Sequence, residues 1–172
     1  MDGITVTLAS TTALAYLLVL LAAAGWDLAR MIIPNALVIA LLALFPVAAL
    51  AAPASSIPWW SHLAAGAAVL VVGLGAYRFR VMGAGDVKLL AAIGLWAGLG
   101  ALPMVLLVTV LGGGVLAIGM IVIRRLAMAV AVAVSGAETI DMPRVLLSGE
   151  KLPYGVAIAA GGATLMVSHP FF

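Results

Sequence analysis

The chain has 172 residues, 66% of them apolar, with eight Lys and Arg, six Asp and Glu, and a mean hydropathy of +1.33. Soluble domains carry about 25% charged residues; the 8% here excludes a water-soluble globule and makes this an integral membrane protein. The absence of cysteine excludes a disulfide scaffold, a thiol nucleophile, Cys-ligated zinc and an iron–sulfur cluster. With only His62 and His169 besides, no metal or other cofactor is expected, and eight scattered basic residues are too few for a nucleic-acid footprint despite the net charge of +2.

The first element is an apolar helix over residues 4–25. Ala22, Ala23 and Ala24 resemble a secretory cleavage site, but only Asp2 precedes the apolar run and no basic segment does, so the helix is expected to be retained. Residues 31–77 lack any charge, too many for one crossing when about 20 helical residues span a bilayer core. Pro53, Ser55, Ser56 and Pro58 supply the break, Trp59 and Trp60 suit the headgroup interface, and helices are predicted over 33–52 and 61–77. Residues 89–123 are again too long for one span. Gly98, Gly100 and Pro103 divide them into helices over 87–101 and 103–123. A last helix covers 153–169, and the apolar run of residues 126–134 either extends the fifth helix or lies in the interface. All eight cations fall on alternate connections: Arg30; then Arg78, Arg80 and Lys88; then Arg124, Arg125, Arg144 and Lys151. Basic residues flanking membrane helices favour the cytoplasm. The expectation is an all-α polytopic membrane protein, one domain over 1–172, with six transmembrane helices and both termini outside the cytoplasm.

Ionisable residues at membrane depth carry functional hypotheses. Asp27, near the inner end of the first helix, and Asp86, at the inner start of the fourth, are expected on one face at one depth. Two facing carboxylates can share a proton, one acting as base towards water and the other as acid towards a carbonyl oxygen, which is aspartic-protease chemistry. The alternative at this point is structural, with Asp27 paired to Arg30 and Asp86 capping its helix. Gly83 and Gly85 flank Ala84 just before the acid, which allows positive φ and close approach of an extended peptide.

These residues resemble the type IV prepilin peptidases, the Gly-x-Gly-Asp membrane aspartic proteases. The matching positions are Asp27, Arg30, Ile33, Pro34 and Asn35; Gly83 to Lys88; and Pro153, Tyr154 and Gly155. The resemblance implies that Asp27 and Asp86 are the catalytic pair. It also implies a pilin-like precursor as substrate, cut at the cytoplasmic face of the bacterial inner membrane between a short basic leader and an apolar helix. Larger members carry an N-terminal region with paired cysteines linked to N-methylation; this chain looks like the small form serving Flp or tight-adherence pili, without methyltransferase activity.

The positive end of its helix favours Asp86 as the base, with Asp27 as the protonated partner. Lys88 reads as a positive-inside anchor, and Arg30 as holding Asp27 or a lipid phosphate. Pro34 with Asn35 starts the second helix and Pro153 the sixth, while Tyr154 and Gly155 bring that helix near the acids. Gly112 to Gly114, Gly161 and Gly162 suit close helix packing. His62 and His169 fall at outer ends as interface residues. Two other functions fit the same residues: a small proton-coupled transporter or channel, whose acids belong near mid-membrane, and a non-catalytic pilus assembly factor, which tolerates loss of the acids.

Overall fold

The structure, a computed structural model, describes residues 3–51, 58–135 and 152–168. It is all-α there: α1 (Gly3–Arg30), α2 (Asn35–Ala51), α3 (Trp59–Arg78), α4 (Ala84–Ser135), α5 (Tyr154–Ala163) and α6 (Leu165–Ser168). Three helices are long and apolar enough to cross a membrane, Thr7–Arg30, Trp59–Arg78 and Ala84–Val130; the shorter Asn35–Leu50 and Tyr154–Val167 are apolar as well. Large apolar side chains stand exposed along them, such as Leu14, Leu18, Leu21, Val71, Val72, Val115 and Ile118, a surface that suits lipid.

The boundaries differ from the sequence expectation for local reasons. α1 continues past Gly25 through Asp27 to Arg30, because one glycine costs an apolar helix only about 1 kcal/mol. It ends at Met31, whose φ is 55° and whose N–H donates to the Asp27 carbonyl at 2.8 Å. α2 begins at Asn35 and runs through Pro46, and α3 takes Trp59 and Trp60 into its first turn. Residues 126–134 extend α4, which runs on to Ser135. His169 lies outside the described residues.

Within α4 the break falls at Gly98 alone, with φ 61° and ψ 176°; Gly100 and Pro103 are helical. The chain reverses there. Residues 84–97 run antiparallel to α3, with Val87 against Gly73, Val69 against Gly94 and Leu95 against Gly66. Beyond Gly98 the second arm runs antiparallel to α5, with Thr109 against Gly161, Gly112 against Ala157 and Gly113 against Tyr154. A straight helix at 1.5 Å per residue would carry Gly113 about 40 Å from Asp86; instead Tyr154, which touches Gly113, shares a cavity with Asp86.

A break at residue 98 deprives the Leu95 carbonyl of its helical partner, the Leu99 N–H. The first turn of α3 serves both: Ser61 Oγ accepts from Leu99 N–H at 2.9 Å, and His62 Nδ1 donates to Leu95 O at 2.9 Å. Within lipid an unserved backbone group costs several kcal/mol, so this contact is what lets the hairpin close. His62 is therefore not the interface residue expected from its position. It is 3% exposed, with its ring 5.5 Å from that of Phe45.

The core sits where α1, α2, α4 and α5 meet. Trp96 is fully buried, 4.6 Å from the Tyr16 ring and 5.7 Å from Phe45, and its Nε1–H donates to Leu41 O at 3.0 Å. Tyr16 donates to Gly162 O at 3.0 Å, tying α1 to α5. Trp96→Ala should destabilise the fold by about 3–5 kcal/mol, read as a lowered thermal midpoint in detergent. A midpoint equal to wild type would show that this cluster does not hold the helices together.

Candidate active site

Asp27 lies one turn from the end of α1 and is 5% exposed. A carboxylate buried this far needs hydrogen-bond partners, and one comes from the far end of the chain: Gly155 N–H donates to Asp27 Oδ2 at 2.7 Å. Gly155 is the second residue of α5, whose first turn has no side-chain cap of its own. Asp27 thus accepts one of the N–H groups that a helix start leaves over, in the place a capping side chain would take. The contact needs glycine, since a Cβ at residue 155 would stand 2.8 Å from Asp27 Oδ2 and 3.0 Å from its Cγ.

Asp86 is the third residue of α4 and half-buried. Its Oδ2 accepts from Gly83 N–H at 3.3 Å, the reach-back of an N3 acid to the residue preceding its helix. Gly83 and Gly85 contribute by lacking side chains. A Cβ at 83 would meet Asp86 Oδ2 at 2.8 Å, and one at 85 would meet Ile33 Cβ at 3.1 Å. Neither uses the positive φ open to glycine; among the described residues the only glycine at positive φ is Gly98.

Both acids line one cavity of about 1140 Å³. Its wall is drawn from the end of α1 and the following loop (Met31 to Ile33), the end of α3 (Tyr77, Arg78), the connection to α4 (Arg80 to Gly83), the start of α4, and Leu152 with Tyr154. This is above the roughly 300–1,000 Å³ of small-molecule sites and suits a peptide. Among the described residues no group of three His, Asp or Glu side chains gathers where a metal ion could be held.

The remaining expected residues frame the cavity without lining it. Lys88 Nζ donates to Asn35 Oδ1 at 3.1 Å, joining the start of α4 to that of α2, an addition to the anchoring role read from its position. Pro34 accepts from Leu37 N–H at 3.1 Å in the first turn of α2. Arg30 lies with its guanidinium 5.1 Å over the Trp26 ring, on the exposed side of α1. Pro153 is buried just ahead of α5. Asp27 stands in the last turn of α1 and Asp86 in the first turn of α4, and the Gly155 N–H adds a second helix start, that of α5, at Asp27.

Residues 14–118, well over half of the chain, match the type IV leader peptidase family. The chain belongs to this family. Among curated relatives, the prepilin leader peptidase/N-methyltransferase of Aeromonas salmonicida (strain A449) is 54% identical over 44 residues, 26% of this chain and 15% of that protein. The one from Burkholderia pseudomallei (strain K96243) is 37% identical over 92 residues, 53% of this chain and 23% of that protein. The matched segments thus span less than a quarter of these relatives' lengths. No solved structure matches. The leader peptidase match contains both acids and stops before Tyr154 and Gly155, which the fold adds to the site. Sequence reasoning missed Met31, Arg78 and Arg80 as cavity residues. The two arginines read there only as topology markers, and nothing local signals that Met31 closes α1 at the cavity.

Proposed function

We propose that this protein is a membrane aspartic endopeptidase that removes the leader of a type IV, Flp-like prepilin. The observation that carries the reading is the peptide-sized cavity lined by both Asp27 and Asp86, each held by a backbone N–H. One carboxylate, ionised, takes a proton from water as the oxygen attacks the scissile carbonyl. The other, protonated, gives its proton to the carbonyl oxygen. The first acid, now protonated, then gives that proton to the amide nitrogen while the second, now ionised, takes one from a hydroxyl of the tetrahedral intermediate; the C–N bond breaks to acid and amine, and the shared proton is restored. The pair titrates as a unit. Metal and cofactor have no step in this scheme.

In this reading the chain crosses the membrane six times, the reversal at Gly98 dividing α4 between the fourth and fifth crossings. Asp27 lies one turn from Arg30 and Asp86 two residues before Lys88, so the acids sit near the cytoplasmic boundary of an inner membrane rather than mid-membrane, which favours a peptidase over a transporter. The scissile segment enters extended, and boundary water serves its freed backbone groups. The test is co-expression with Flp-type prepilins, with the new N-terminus of the product identified by mass spectrometry. A single cut between leader and apolar helix is expected. A cut in the middle of the apolar span, or an unprocessed substrate across the panel, would overturn the reading.

A further inference from the structure

Two non-glycine residues among those described have a left-handed backbone, Met31 at φ 55° and Arg80 at φ 60°, and both line the cavity. Arg80 follows the end of α3: its N–H donates to Tyr77 O at 2.9 Å and Val81 N–H donates to Ala76 O at 2.9 Å, the paired bonds of a Schellman termination. Glycine is the residue that fits this position without strain, and any Cβ there costs stability. The stretch is otherwise generous with glycine, at 73, 75, 83 and 85. A strained backbone kept at a functional site points to a use for the side chain it carries.

That side chain is a guanidinium, and a second one, Arg78, stands in the same wall. Apart from these two and the two acids, the lining residues among those described carry no formal charge. A guanidinium presents a rigid fork of N–H donors and no acceptor. Its strength is two-point binding of a carboxylate. The cavity is large enough for several substrate residues to enter beside the acids.

Building on the peptidase reading above, we infer that Arg80, with Arg78 beside it, is a specificity-determining residue that binds an acidic side chain of the substrate close to the scissile bond. Arg80 does not act on the reacting atoms; it sets which peptide is held and in what register. Steady-state cleavage is measured in nanodiscs of neutral lipid and of neutral lipid with added anionic lipid, for wild type, Arg80→Gly and Arg80→Lys. The substrates are a prepilin and variants with each Asp or Glu near the cut changed to Asn or Gln.

One substrate variant should raise KM about tenfold with wild type and leave kcat unchanged, the loss expected of a charge-assisted hydrogen-bonded pair. The same variant should have no further effect on Arg80→Gly, and Arg80→Lys should recover part of the loss. Arg80→Gly should also raise the thermal midpoint by about 2 °C, because it relieves the left-handed strain while weakening binding, a combination that a purely structural arginine would not give. Effects of enzyme and substrate variants that simply multiply would overturn the inference. So would a loss in Arg80→Gly seen only in anionic nanodiscs, which would assign the arginines to lipid headgroups. Wild type that cleaves no prepilin would fail the peptidase reading itself, a result that neither of those outcomes resembles.

Discussion

Asp27→Asn and Asp86→Asn should each lower prepilin cleavage about 10⁴-fold while leaving the protein folded in the membrane. An amide can neither take the proton from water nor deliver one to the carbonyl, so the loss should fall on kcat, and the double variant should be little worse than either single one. Shape is kept in both. An amide oxygen at position 27 can still accept from Gly155 N–H, which donates to Asp27 Oδ2 at 2.7 Å in the native protein, and an amide oxygen at 86 can accept from Gly83 N–H. Single-turnover cleavage followed by mass spectrometry, at matched membrane levels and with thermal midpoints compared, separates chemistry from folding. Cleavage persisting in both variants would reject the dyad and favour a non-catalytic assembly role.

Gly155→Ala should cost about 10²-fold in kcat, although residue 155 lies outside the matched family segment and has no functional group of its own. A Cβ at this position would stand 2.8 Å from Asp27 Oδ2 and 3.0 Å from Asp27 Cβ and Cγ, closer than real contacts allow. The carboxylate cannot yield freely, because it is buried and bonded to the backbone N–H of the same residue. Either α5 moves off α1 or Asp27 rotates away from the cavity. A displacement of about 1 Å at a reacting group is enough for a loss of this size. The control is Gly114→Ala, where a Cβ meets nothing within 4 Å; it should cleave as wild type does. Wild-type kinetics in Gly155→Ala would show that the α1–α5 contact does not hold Asp27 for catalysis.

Much of this site is legible in the sequence. Asp27 and Asp86 stand out because charge is scarce in an apolar chain, and the motif around Asp86 carries the family resemblance. The sequence puts the break of the long apolar run in the right segment but spreads it over Gly98, Gly100 and Pro103. Only the contact with Ser61 and His62 selects Gly98, since those side chains serve the backbone groups that a reversal at that residue exposes. His62 shows the same limit from the other side. Its position near a helix end suggests an exposed ring, and its partner at Leu95, 33 positions away, is what buries it.

The features readable without coordinates follow from properties that add along a chain: 66% apolar residues require a membrane, long uncharged runs call for helices of membrane length, and two isolated acids stand out as candidates for chemistry. The features that needed the folded chain depend on residues far apart in sequence. Gly155 reaches Asp27 across 128 positions and brings the start of α5 to that carboxylate, a second helix terminus that the local sequence around Asp27 does not suggest. Arg80 enters the cavity wall because α3 terminates with a left-handed residue there, so a cation that counts only as a topology marker in the sequence becomes part of the site.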